Sequence, residues 1–143
     1  MKNAFIVHGA YGNPQENWFP WLKEELEKVE IITTVPQFPT PEGQSLENWM
    51  TVFEPYKKQL NSESIIVGHS IGAAFVLRII ERIDVQIKGA YLVAGFLQGL
   101  DNSDLDKKNE SFYQESFNWQ KIKKNCKEFV CFSSDNDPYV PLW

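Results

Sequence analysis

The residues best suited to chemistry lie in the run SIIVGHSIGAAFVLRII, where Gly68-His69-Ser70-Ile71-Gly72 fits the pattern G-x-S-x-G. An apolar, β-branched run precedes it and a helical pattern follows. That is the setting of a nucleophile elbow, in which a sharp strand-to-helix turn projects a serine hydroxyl from the edge of a sheet. Small residues are required at Gly68 and Gly72 because the chain passes close to itself there. The amino terminus of the helix favours negative charge developing beside Ser70. The bland alternative is a glycine-bearing turn in which Ser70 only caps the helix. A dinucleotide fingerprint does not fit, since Ser70 stands where the middle glycine of G-x-G-x-x-G belongs.

Acyl transfer to such a serine needs two backbone donors for the oxyanion. One is expected from the amide of Ile71, directly after Ser70, and the other from the loop His8-Gly9-Ala10, with Ala10 the better donor. Gly9 and Gly12 let that backbone bend toward a ligand. An acid that orients the base should lie beyond a later strand, and FVCFSSDNDPYVP offers Asp135 and Asp137. Asp137 is preferred because Pro138 fixes the chain after it and an acid at the carboxyl edge of the sheet can reach toward Ser70, while Asp135 can instead be read as a turn residue bonded to its own backbone. His8 and His69 are the two imidazoles, and both read as structural: His69 precedes the nucleophile and should point away from it, and His8 ends the first strand. In the order Ser, acid, His, the base would follow Asp137, and the sequence ends six residues later at Trp143.

Five short apolar runs must position these groups: Ala4 to Val7, Ile31 to Val35, Ile65 to Val67, Ile87 to Ala94 and Phe129 to Phe132. Most are continuous rather than alternating, as for strands buried on both faces. Helical patterns lie between them. Trp18, Trp21, Leu22, Leu26 and Val29 share one face, opposite Lys23, Glu24, Glu25, Glu27 and Lys28, with Pro20 in the first turn. Leu46, Trp49, Phe53 and Leu60 form a second stripe, with Ser45 as N-cap and Pro55 as a kink. Ile71 to Ile83 is apolar nearly all round and should be the most buried helix. Strand and helix alternating in this way predict a three-layer α/β sandwich on a parallel five-stranded sheet of order 2-1-3-4-5. Its ligand cleft lies at the switch point between the first and third strands. Residues 96–118 are long and polar, either a cover over that cleft or a mobile excursion.

The 143 residues carry 14 Lys and Arg against 19 Asp and Glu, a net charge of −5, and 43% are hydrophobic. That is the composition of one globular domain. The five Trp, five Tyr and ten Phe exclude intrinsic disorder. No basic footprint is present for nucleic acid or an anionic membrane, and no apolar run reaches the eighteen residues of a span. Too few apolar residues precede His8 for a signal peptide. Cys126 and Cys131 have no partner at metal-ligand spacing and read as buried thiols in a reducing cytoplasm. No metal or cofactor is expected.

The segments HGAYGNPQENWFPWLKEELE, VGHSIGAAFVLRIIE, NWQKIKKNC and SSDNDPYVP together resemble the retinoblastoma-binding protein 9 family of small serine hydrolases, a compact α/β-hydrolase branch, over nearly the whole chain. The pairing of NWQKIKKNC with DNDPYVP is more specific than GHSIG alone. The resemblance implies a Ser-Asp-His triad in which Ser70 matches the nucleophile and Asp137 the acid, with Gly9 and Ala10 in the oxyanion loop. It also implies a His after one further helix and strand, and no position here matches it. The chain is therefore expected to be a single domain, incomplete at its C-terminus, and its own activity is in question. The leading expectation is a cytoplasmic serine hydrolase acting on an ester, amide or other acyl bond of a small molecule or peptide. The competing class is a noncatalytic binding module that uses the same cleft and surface aromatics such as Trp18 and Trp49.

Overall fold

The computed structural model describes residues 1–142, so Trp143 lies outside it. The elements follow in the order β1 (Asn3–Val7), α1 (Phe19–Lys28), β2 (Ile32–Thr34), α2 (Leu46–Lys57), β3 (Ile65–His69), α3 (Ile71–Glu81), β4 (Ile87–Val93), α4 (Ser103–Tyr113), α5 (Trp119–Asn125) and β5 (Cys126–Phe132). The strands form one parallel sheet in the expected order, β2-β1-β3-β4-β5.

Alternation along the strands sorts the side chains onto two faces. Phe5, Val7, Ile66 and Ala90 face α2, α3, α4 and α5 in the larger core, together with Trp49, Phe53, Phe75, Phe112 and Ile122. Ile6 and Val67 face the other way, onto Phe19, with Leu22, Tyr91 and Val93 at the margin. Residues 71–80 of α3 are all buried, the only helix among the described residues apolar enough to be enclosed in this way. Both central strands, β1 and β3, are largely buried, whereas the edge strand β5 is mostly exposed beyond Cys126.

Ser45 caps α2 as expected, its Oγ accepting from the Asn48 N–H at 3.1 Å, and the helix runs on through Pro55 to Lys57. Several expectations are corrected. Trp21 and Val29 are 61% and 60% exposed: the ten-residue α1 turns only part of its apolar stripe onto the sheet, and Val29 stands at the C-cap. Trp49 is not a surface aromatic. It is fully buried, stacked on Phe38 with centroids 4.8 Å apart, and its indole N–H donates to the Pro39 carbonyl at 2.8 Å. Cys126 is buried but Cys131 is exposed, because β5 presents that residue outward at the edge of the sheet.

The segment 96–118 is ordered around α4. Asn102 caps it by accepting from the Leu105 N–H, Asp104 and Asp106 occupy its first turn, and Asn109 and Phe112 are buried. Its anchor is Arg78 on α3, which donates from Nε to Phe112 O at 3.0 Å and from Nη2 to Glu115 O at 2.5 Å, and also holds Glu81 and the ring of Phe117. On the α2 side, the Leu46 N–H donates to Ser111 Oγ and the Gln44 amide to Asn109 Oδ1.

Candidate active site

β3 ends at His69, and Ser70 makes the turn into α3 with φ 58° and ψ −126°. A non-glycine residue with that combination lies outside the favoured regions and costs on the order of 1–3 kcal/mol, a strain held by the surrounding structure. Three close approaches hold it. A Cβ on Gly68 would stand 2.6 Å from Gly72 O, one on Gly72 would stand 2.6 Å from His8 O, and one on Gly9 would stand 2.9 Å from Ser70 Cβ. The turn is also tied to the next strand, the Ser70 N–H donating to Val93 O at 2.9 Å. Ser70 makes no side-chain capping bond to α3, so the bland reading of it as a helix cap does not describe this turn.

A cleft of about 580 Å³ opens over Ser70 at the C-terminal ends of β1 and β3, the switch point of the sheet. Gly9, Ala10 and Tyr11 form one wall, Leu100 and Leu105 around the start of α4 another, and Tyr139 a third. The ordered segment 96–118 thus contributes to the cleft. Tyr11 and Asn17 on its lining share with Ser70 a positive φ, at 59° and 53°. The turn from Gly9 to Gly12 is closed by the Gly12 N–H donating to Gly9 O at 3.2 Å. The Ile71 N–H, first of α3, has no intrahelical acceptor, and Ala10 sits on the cleft wall beside Ser70.

Neither imidazole bonds to Ser70. His8 is wholly buried and both ring nitrogens are engaged: Nε2 accepts from the Phe38 N–H at 2.9 Å, so Nδ1 carries the proton and donates to Gly9 O at 2.8 Å. Burial holds its pKa below the ordinary value, opposed by the bond to Gly9 and the charge of Glu16. It thereby fixes the carbonyl from which the Gly9–Gly12 turn begins. His69 packs edge-on against Trp18 and Phe19, each with centroids 5.8 Å away, and its Nδ1 is buried without a partner among the described residues. Burial lowers its pKa too, against the charges of Glu16 and Asp137. Burial thus works against a charge on either ring.

Asp137 follows β5, half-buried, with Oδ1 accepting from the N–H groups of Tyr139 at 2.8 Å and Val140 at 2.9 Å. Asp135 is exposed. Glu16, which the sequence did not single out, also lines the cleft. Only its position between the Gly12 turn and Asn17 in the fold brings it there. Among the described residues no group of three or more His, Cys, Asp or Glu is placed to hold a metal ion, and no helix is long and apolar enough to cross a membrane.

A parallel sheet flanked by helices, with a strained serine turn at its switch point, defines an α/β hydrolase by fold. Comparison with known proteins makes the class definite: residues 4–142 match the serine hydrolase family, and the chain belongs to it. It is 31% identical to YdeN of Bacillus subtilis (strain 168) over 99% of this chain and 74% of that protein. With serine hydrolase RBBP9 of Rattus norvegicus the identity is 28%, over 96% of this chain and 73% of the relative. The crystal structure of the B. subtilis ydeN gene product superposes with a TM-score of 0.90 at 30% identity, covering 99% of this chain and 76% of that one. Est1E from Butyrivibrio proteoclasticus, solved with ferulic acid bound, shares the fold with a TM-score of 0.72 at 16% identity, over 99% of this chain and 72% of its own.

Proposed function

We propose that this serine hydrolase cleaves an ester, amide or other acyl bond through an acyl-enzyme on Ser70. The Ser70 hydroxyl attacks the acyl carbon and loses its proton to an imidazole. The amides of Ala10 and Ile71 hold the resulting oxyanion, and Asp137 orients the imidazole. Collapse of the tetrahedral intermediate breaks the bond to the alcohol or amine, which leaves with the proton. Water, deprotonated by the same imidazole, then attacks the acyl-enzyme and releases the acid. The imidazole in this reading lies outside the 143 residues, because His8 is committed at both nitrogens and His69 is packed on Trp18 and Phe19. The substrate is a small molecule or peptide met in the cytoplasm, where the unpaired Cys126 and Cys131 stay reduced.

The observation that carries this reading is Ser70 itself: a strained turn, free of a capping bond, on a cleft whose lining beside it is the Gly9–Ala10 backbone. In a complete protein that also supplies the imidazole, a fluorophosphonate probe should label Ser70, located by mass spectrometry of the digested protein, and Ser70→Ala should abolish the label. Labelling that survives the substitution sinks the assignment.

A further inference from the structure

The charged groups on the cleft wall are Glu16 and Asp104, both acidic, and no Lys or Arg joins them. Glu16 is the better placed. It is half-buried, and its Oε1 lies 2.6 Å from the point that a Cβ on Gly12 would occupy, with Nδ1 of His8 3.0 Å from the same point. The carboxylate is therefore folded back over the Gly9–Gly12 turn and not out into solvent. No Lys or Arg pairs with it among the described residues. Its charge is felt at both His8 and His69.

This arrangement is at odds with acyl transfer unless something else is present. Negative charge develops on the carbonyl oxygen in the transition state, and a nearby unpaired carboxylate opposes it in a partly dehydrated cleft. A substrate that brings its own positive charge reverses the sign. It pairs with the carboxylate and adds attraction for the oxyanion. Ser70 lies beneath Gly9, with 2.9 Å from its Cβ to the point a Gly9 Cβ would occupy, and Glu16 lies beneath Gly12. The two groups thus sit under the two ends of one turn, on the lining of the same cleft.

We infer that Glu16 determines specificity, selecting acyl substrates that carry a cationic amine or ammonium group within the same cleft as the scissile carbonyl. Asp104 on α4 contributes from the facing wall. The inference rests on the reading of Ser70 as nucleophile for its chemistry, but the charge preference is a binding property and is measured apart from turnover.

The test uses three ligands of the same shape: choline, the neutral 3,3-dimethylbutan-1-ol and the anionic 3,3-dimethylbutanoate, titrated into the unmodified protein and followed by the amide NMR shifts of Ala10 and Tyr11. Choline should bind about three- to tenfold more tightly than the alcohol at low salt, with the carboxylate weakest. The preference should shrink as ionic strength rises. Glu16→Gln should remove most of it and Asp104→Asn a smaller part, with the alcohol's affinity unchanged in both as the check that the cleft is intact. Alcohol or carboxylate binding as tightly as choline, failure of choline to bind, or a preference that survives Glu16→Gln would overturn the inference. Labelling of Ser70 by an uncharged fluorophosphonate, in a complete protein that also supplies the imidazole, is scored separately. Labelling without a cation preference removes the inference alone, and a cation preference without labelling removes the nucleophile assignment alone.

Discussion

Gly9 and Gly72 serve the same serine in different ways, and substitution should separate them. A Cβ on Gly72 meets backbone on two sides, 2.6 Å from His8 O and 2.8 Å from Val7 O, where the end of β1 passes the elbow. Neither strand nor helix can give way there. Gly72→Ala should therefore cost about 2–4 kcal/mol in urea denaturation. On Gly9 the Cβ meets Ser70 Cβ at 2.9 Å and only one backbone atom, His69 O, farther off at 3.3 Å, so the backbone clash is the milder of the two. Gly9→Ala should leave stability within about 1 kcal/mol of the parent yet slow the labelling of Ser70, because the loop moves off the nucleophile. Equal losses of stability would contradict this division. A second contrast concerns the acids. Asp137→Asn keeps an oxygen for the N–H groups of Tyr139 and Val140, so the turn survives. In the active enzyme it should cost on the order of 10⁴ in turnover by disordering the base, while Asp135→Asn costs little. The reverse ranking would exchange their roles. The strained turn at Ser70 and the glycines that hold it were legible in the sequence because their spacing is local. Glu16 was not, since nothing in the run GNPQENW shows that the turn at Gly12 and the positive φ of Asn17 fold its carboxylate back into the cleft.

Legibility varied among the elements for a related reason. Continuous apolar runs marked β1 and β3, which are buried on both faces, and the dense apolar pattern marked α3. The helix α4, SDLDKKNESFY, buries only Asn109 and Phe112 and so has no apolar stripe to read. Its start was nonetheless written in Asn102 followed by Asp104 and Asp106, a cap and an acidic first turn. What makes it a wall of the cleft is Arg78, whose guanidinium gathers the carbonyls of Phe112, Glu115 and Ser116 at its C-terminal end. Arg78→Met retains an unbranched apolar stem but leaves the buried Phe112 carbonyl, and the part-buried carbonyls of Glu115 and Ser116, without that donor, and should cost about 2–4 kcal/mol. The loss should also be local. Hydrogen exchange should show α4 losing protection ahead of β1 and β3, whereas a uniform loss across the sheet would mean that Arg78 supports the core as a whole and not this wall.

Over the whole molecule the two faces of the sheet are unequally covered, and this asymmetry has a measurable consequence. Among the described residues four helices enclose one face, while α1 alone lies on the other, where the buried cluster is Ile6, Phe19 and Val67. Beside α1 a predominantly apolar groove of about 560 Å³ runs across the strands, lined by Trp18, Leu22, Leu26, Tyr91, Val93 and Phe132. It is distinct from the cleft over Ser70, being set against the middle of the sheet and not its C-terminal edge. Phe132, 53% exposed at the end of β5, extends it toward the unpaired sheet edge. Continuous exposed apolar surface of this kind binds hydrophobic probes and promotes association. Anilinonaphthalene sulfonate should therefore fluoresce with the folded 143-residue chain, under conditions where urea denaturation still shows a single cooperative transition. Leu26 is half-buried on α1 and far in sequence from the elbow, so Leu26→Lys should place a charge in the groove at little cost to the fold. That substitution should cut the dye signal several-fold and lessen aggregation while the single cooperative urea transition is retained. A folded chain that binds no dye, or a dye signal unchanged by Leu26→Lys, would show that this face is not the exposed apolar surface described here.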